Sequence, residues 1–205
     1  MRKFLIYCLL IMMASRVQAQ SPKVVADCTV TFDVRIGKPD GTTESAIKTL
    51  YIKGSEIRSD LVNSTFTQIT FYDAKKDEAV VLRELGGDKY INRLNAAQWR
   101  EQNKRYEGMV VTLGTETKTI LGYECKKAQV KLKDGNVLNM YYATAIAPSV
   151  SENIYQFKGI PGFVLEYEAQ SEKGSKIQQY TATVINLSPV PASKFQIPQT
   201  GYRML

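Results

Sequence analysis

Residues 28–36 read Cys-Thr-Val-Thr-Phe-Asp-Val-Arg-Ile. Val30, Phe32, Val34 and Ile36 fall on one side of this stretch, and Thr29, Thr31, Asp33 and Arg35 on the other. A period of two sends alternate side chains to opposite faces of an extended chain, so the stretch is a strand buried on one face. Gly37-Lys38-Pro39-Asp40-Gly41 breaks it with turn-forming residues. Residues 46–53 then read as a second strand, with Ile47, Thr49 and Tyr51 opposing Leu50 and Ile52. Strands at 55–62 and 65–72 follow, divided at Asn63-Ser64, and a pair at 78–84 and 88–93 flanks Gly86-Gly87. Short strands joined by tight turns predict an antiparallel meander.

Downstream, strands are expected at 109–114 and 117–132. The Asp134-Gly135 turn leads to a returning strand at 137–144. Two more strands, 162–170 and 176–186, are joined by Ser171-Glu172-Lys173-Gly174-Ser175. Pro189, Pro191 and Pro198 make the tail extended, with an edge strand expected near 194–197. Ala79-Val80-Val81-Leu82, Met109-Val110-Val111 and Phe163-Val164-Leu165 are runs of consecutive apolar residues, the mark of a strand shielded on both faces.

Two helical segments interrupt the strands. Asn95 and Gln98 have capping-box spacing, and Leu94 and Trp99 are placed as a hydrophobic staple. Ala96, Trp99 and Tyr106 share a helical face and Gly108 can stop the helix, so 96–106 is predicted helical. A second short helix is predicted from Pro148, with Ser149 and Glu152 as its capping pair. Val150, Ile154 and Phe157 would share its face before Gly159.

The first residues fix the expected compartment. Arg2 and Lys3 precede an apolar run, Phe4 to Ala14, and Val17-Gln18-Ala19 follows. This is the pattern of a secretory signal peptide cleaved after Ala19. Cys8 lies inside the apolar run, not just after it, which argues against a lipid anchor. The mature domain would then be residues 20–205, located in the periplasm or secreted. Loss of Arg2, Lys3 and Arg16 changes 27 cations against 20 anions to 24 against 20, so the net charge falls from +7 to +4. The cations are interspersed with anions, and no basic stripe with aromatics suggests nucleic acid. Two cysteines remain, Cys28 and Cys125. Two readings stand: a disulfide, worth roughly 4 kcal/mol through the long loop it closes, or two separate buried thiols.

Composition excludes much chemistry. With 44% hydrophobic and 23% charged residues, the chain is globular in class. It contains no histidine, so Ser-His-Asp and Cys-His nucleophiles and histidine-ligated metals are ruled out. Ser45-Ala46-Ile47-Lys48 matches a Ser-x-x-Lys pattern, but that chemistry needs a helix, and here the residues begin a strand. Glu166 and Glu168 share a strand face around Tyr167 and read as solvent-facing charges. No phosphate-binding glycine loop occurs, so no enzyme, cofactor or metal is expected.

Three short motifs carry a resemblance. Residues 117–125 read Thr-Lys-Thr-Ile-Leu-Gly-Tyr-Glu-Cys, residues 159–165 read Gly-Ile-Pro-Gly-Phe-Val-Leu, and Phe195-Gln196-Ile197-Pro198 precedes Gly201-Tyr202. In this order they resemble the GLPGLI-type exported families of Bacteroidetes-like bacteria, although the naming stretch departs at Ile160, Phe163 and Val164. The resemblance implies the fold of the periplasmic carriers LolA and LolB. That is an α+β, mostly β architecture: a curved antiparallel sheet of about ten or eleven strands, an incomplete barrel with two short helices against its concave face. Independently of it, Gly122, Gly159 and Gly162 suit places where the backbone bends or passes close to a neighbour.

A sheet covered on one side by short helices leaves two outcomes, a filled core or an apolar groove. The expected function is a binding module for an apolar ligand such as a lipid, an acyl chain or a lipidated protein. Candidate lining residues are Trp99, Tyr106, Ile154, Phe157, Phe163 and Leu165. The alternative is a cell-envelope structural or protein-interaction protein. A greasy hollow of ~300 Å³ or more would favour carriage.

Overall fold

The computed structural model describes residues 21–38, 41–170 and 177–205. The signal-peptide reading falls outside the described residues, as do Pro39 and Asp40 of the turn at 37–41 and the whole of the turn at 171–175.

The expected meander forms. Strands β2 (Asp27–Gly37), β3 (Thr43–Lys53), β4 (Glu56–Val62), β5 (Phe66–Asp73), β6 (Glu78–Leu85) and β7 (Asp88–Leu94) pair antiparallel in sequence order. A short strand β1 (Lys23–Val25) precedes them. After the single α-helix among the described residues, α1 (Ala96–Gln102), come β8 (Val110–Ile120), β9 (Tyr123–Lys131), β10 (Val137–Ala143) and β11 (Ile146–Pro148). Then follow β12 (Phe163–Gln170), β13 (Ile177–Asn186) and β14 (Arg203–Met204).

Among the described residues, twelve of these strands make one sheet in the order β14-β7-β6-β5-β4-β3-β2-β13-β12-β10-β9-β8. The two ends, β14 and β8, do not pair, so the sheet is an open, curved surface and not a closed barrel. Register slips between Leu113 and Thr117, Tyr141 and Tyr142, and Ala182 and Val184 add local bend and twist. β1 and β11 form a separate parallel pair.

The opening alternation is obeyed: Cys28, Val30, Phe32 and Val34 are buried on the inner face. Ala46, Leu50 and Ile52 continue that face on β3, and Leu138, Met140, Leu165 and Tyr167 carry it across β10 and β12. A second, smaller cluster of Phe71, Leu82 and Ile91 lies on the outer face of β5–β7. The run 79–82 is therefore shielded on both faces, as its sequence predicts, and so is 163–165. The run 109–111 is not, since Val110 is 60% exposed on the edge strand.

Four further expectations are corrected. The stretch 117–132 is not one strand: Leu121 (φ 50°) and Gly122 (φ 81°) turn the chain between β8 and β9. Two residues at positive φ are what a tight hairpin requires, and leucine seldom supplies one. The helix predicted over 96–106 closes at Gln102, because the Asn103 side chain donates to the Trp99 carbonyl; one 3₁₀ turn, Lys104–Tyr106, follows. Its capping box of Asn95 and Gln98 forms as predicted.

The second helix is absent: residues 152–159 form consecutive turns. Both residues meant to cap it bond elsewhere, the Ser149 hydroxyl to the Gly54 carbonyl and the Glu152 carboxylate to Lys48. The Asn153 side chain then accepts from the backbone N–H groups of Tyr155 and Gln156, which competes with helical bonding. In the tail, Ala192–Phe195 is a 3₁₀ turn, and the edge strand is β14, further along the chain than expected. Cys28 and Cys125 are separate, fully buried thiols without a bridge.

Candidate functional site

Two pieces of chain cover the concave face. One is α1, whose Trp99 ring lies 5.9 Å from that of Tyr72 on β5. The other is the turn segment 149–161, anchored by Phe157, which packs edge to face on Tyr167 at 5.0 Å. The two covers are tied by a hydrogen bond from the Asn153 amide to the Asn103 side-chain oxygen. Gln156 is buried, and its amide donates to the Glu168 carbonyl. Gly162, at the end of the segment, runs so close to the Ala143 carbonyl that a Cβ would collide with it, as the glycine reading anticipates.

Between the covers and the sheet lies a hollow of about 190 Å³. Its walls include Ile57, Leu61, Tyr72, Trp99, Tyr167 and Tyr180, together with Gln68, Thr70 and Gln156. At its floor sits Lys48 on β3, only 5% exposed. Lys48 belongs to the inner alternation, between Ala46 and Leu50. Its Nζ donates to the Tyr167 hydroxyl at 2.6 Å and pairs with the Glu152 carboxylate from the cover segment. The rings of Tyr180, Tyr167 and Phe32 surround that ammonium at 5.1, 5.3 and 5.6 Å. Burial pulls Lys48 down from its ordinary 10.5 to about 7, and the Glu152 carboxylate opposes this by favouring the charged form. Burial also raises the Tyr167 and Tyr180 hydroxyls, so both stay protonated across the physiological range.

Of the six predicted lining residues, Trp99 alone lines this hollow. Tyr106 lines a separate cavity of about 430 Å³ beside Arg100, Met109, Val111, Tyr155 and Lys158. Phe157, Phe163 and Leu165 are buried in the core, and Ile154 is half-buried against it. The hollow is smaller and more polar than the greasy groove expected, because a lysine and a glutamate meet inside it. Sequence reasoning misses both: Lys48 stands out only in a Ser-x-x-Lys pattern that a strand cannot use, and Glu152 only as a helix cap. The signal for Lys48 is a charged residue in phase with Leu50 and Ile52, on the face that must be buried.

Elsewhere, the outward Glu166 and Glu168 are ordinary strand charges. Glu166 pairs with Lys118, and Glu168 accepts from the Asn139 backbone and amide. Among the described residues, no group of three or more acidic, cysteine or histidine side chains could hold a metal.

No protein-family model and no curated protein matches the chain, so the GLPGLI resemblance rests on its three motifs alone. Solved structures do match its fold. An uncharacterized conserved protein from Thermus thermophilus is similar over 91% of both chains, with 9% identity and a TM-score of 0.51. PNGF-II is 14% identical over 87% of this chain, which spans 30% of that protein, with a TM-score of 0.48. A LolA superfamily protein from Nitrosomonas europaea is 10% identical, with 87% of this chain and 94% of that one covered and a TM-score of 0.39. At these identities the likeness concerns the fold, and the Thermus protein carries it.

Proposed function

We infer that the chain is an exported half-barrel of the LolA type that works as a binding module, with its ligand seat in the hollow of the concave face. The observation behind this reading is the 190 Å³ space left beneath the two covers, walled by aromatic rings. A domain that needed its inner face only for stability would have filled that space with side chains. The hollow lies below the roughly 300–1,000 Å³ of typical ligand sites. A long acyl chain or a lipidated peptide would therefore enter only with the 149–161 segment displaced. A ligand with a short apolar body fits the hollow as it stands.

Trp99 is the single tryptophan of the chain and lines the hollow, so its fluorescence reports occupancy. Titration with the uncharged one-ring quencher nitrobenzene is expected to quench Trp99 emission saturably. Protein isolated from its own host is expected to carry a small organic ligand in native mass spectrometry. No quenching together with an empty mass spectrum removes the reading.

A second reading, a cell-envelope interaction protein, draws on a different place. Among the described residues, edge strand β8 pairs on one side only, and it exposes Val110 and Leu113, 60% and 50% accessible. Such an edge accepts a further strand unless it is guarded. Cross-linking through a cysteine placed at Thr112, giving one defined adduct that Val110→Lys abolishes, would support it.

A further inference from the structure

A buried ammonium cannot be left alone. Lys48 is almost wholly sequestered, and removing its partner without replacement would strand an uncompensated charge. Among the described residues lining the hollow, Lys48 and Glu152 are the only charged ones, so within it the lysine has one counter-charge. That counter-charge belongs to the cover and not to the sheet. Glu152 stands on a segment of turns, held by side-chain bonds and a few isolated backbone bonds instead of a continuous helical or sheet ladder, whereas Lys48 and Tyr167 are fixed on paired strands. A molecule that enters and pushes Glu152 aside preserves the ion pair only if it brings a negative group to the same place; a neutral one leaves Lys48 to lose its proton.

Resting on the binding-module reading, we propose that Lys48 and Tyr167 form a carboxylate-recognition site, occupied in this state by the protein's own Glu152, and that a small organic carboxylate with an apolar body is the ligand that takes its place. The geometry supplies each part. Lys48 Nζ offers the charge-assisted donor. The Tyr167 hydroxyl accepts from Lys48 at 2.6 Å and can donate in turn to a carboxylate oxygen. Tyr72, Trp99 and Leu61 receive the apolar body. The size of the hollow selects a short chain or one ring.

The test is calorimetric titration of the full mature chain with hexanoate and, in parallel, hexanol. In wild-type protein Glu152 competes, so hexanoate binds weakly. In Glu152→Gln the competitor is gone, and hexanoate should bind about tenfold more tightly while hexanol does not gain. Lys48→Met should lose hexanoate binding and retain nitrobenzene. Tyr167→Phe keeps the ring and serves if the methionine variant does not fold; it should weaken hexanoate several-fold. Equal gains for hexanol and hexanoate in Glu152→Gln, or hexanoate affinity unchanged in Lys48→Met or Tyr167→Phe, overturn the assignment. Nitrobenzene binding with no response to carboxylates strikes this site alone, whereas absence of both nitrobenzene and hexanoate binding strikes the binding module as well.

Discussion

On the convex side of β5–β7, Ile197 and Tyr202 of the C-terminal tail pack on Phe71, Leu82 and Ile91, and a space of about 270 Å³ lies beside them, bordered by Phe71, Val80, Phe195 and Ile197. That tail is pinned along its length. Arg58 donates to the Lys194 carbonyl, the Tyr202 hydroxyl to Glu84, and the Leu205 N–H to the Ile91 carbonyl, while β14 pairs with β7. On the concave side the 149–161 segment is held by Phe157 packed on Tyr167, by the Glu152–Lys48 ion pair, by Ser149 bonded to the Gly54 and Val25 carbonyls and by side-chain amides, and about 190 Å³ remains beneath it. Both covers are irregular chain laid on a sheet with space beside them, but the concave space holds a buried lysine and its glutamate, whereas the space by the tail is bordered by surface charges such as Glu56, Glu78 and Arg93.

The largest difference should appear on truncating one leucine under each cover. Leu82 is 1% exposed in the convex cluster, and Leu82→Ala is expected to remove about 3 kcal/mol, within the range for large-to-small core changes. Leu61 already borders the hollow and is half-buried, so Leu61→Ala should cost about 1 kcal/mol, since it merely enlarges an existing space. Urea unfolding of the two variants decides it, and equal losses would erase the distinction between the faces.

Gly162→Ala probes the close backbone approach at the end of the concave cover. The added methyl meets the Ala143 carbonyl and the Tyr142 ring, so β12 must shift away from β10. Overpacking of this kind costs about 2 kcal/mol. The shift should also loosen the 149–161 segment, visible as faster amide exchange there than in the tail. A variant with unchanged stability and exchange would show that the close approach constrains nothing.

These sites divide by how local their causes are. The inner face of β2 is legible because alternation depends only on neighbours two apart, and the box of Asn95 and Gln98 because a cap needs only residues three apart. The 149–158 segment is not legible. Ser149 and Glu152 have the right spacing for a cap, but Gly54 and Lys48, far earlier in the chain, offer them other partners. Lys48 is half-legible: its phase on β3 can be read, its partner cannot. The tail is misplaced for the same reason, since Ile197 and Tyr202 answer to an outer-face cluster that no local pattern in the tail reveals. Leu121 hides the β8–β9 turn because the residue type does not advertise positive φ.

A smaller effect tests whether α1 matters to the concave cover. Asn95→Ala removes the side-chain oxygen that accepts from the Gln98 N–H, and should cost about 1 kcal/mol. If α1 holds the hollow shut, the same change should broaden and red-shift Trp99 emission as the ring gains water. Loss of stability with unaltered emission would separate the helix from the site.

The last test belongs to neither cover but to the layer beneath both, where Cys28 and Cys125 lie fully buried. Burial, with Asp27 adjacent, pushes the Cys28 thiol up from 9.0 to about 12, and burial raises Cys125 as well. A thiol whose folded value exceeds its unfolded one holds more protons when folded, so its contribution to stability is complete below about pH 9 and is lost as the pH rises toward about 12. Buried tyrosines change stability in the same direction, so the comparison must be with Cys28→Ala, which keeps them. Between about pH 8.5 and about pH 11 wild type should lose stability more steeply than Cys28→Ala, and neither thiol should react with iodoacetamide at about pH 8 until urea unfolds the chain. Parallel pH slopes would mean that alkali opens the concave cover first and reaches the core through it, which would make the hollow, and not the sealed layer, the weak point of the fold.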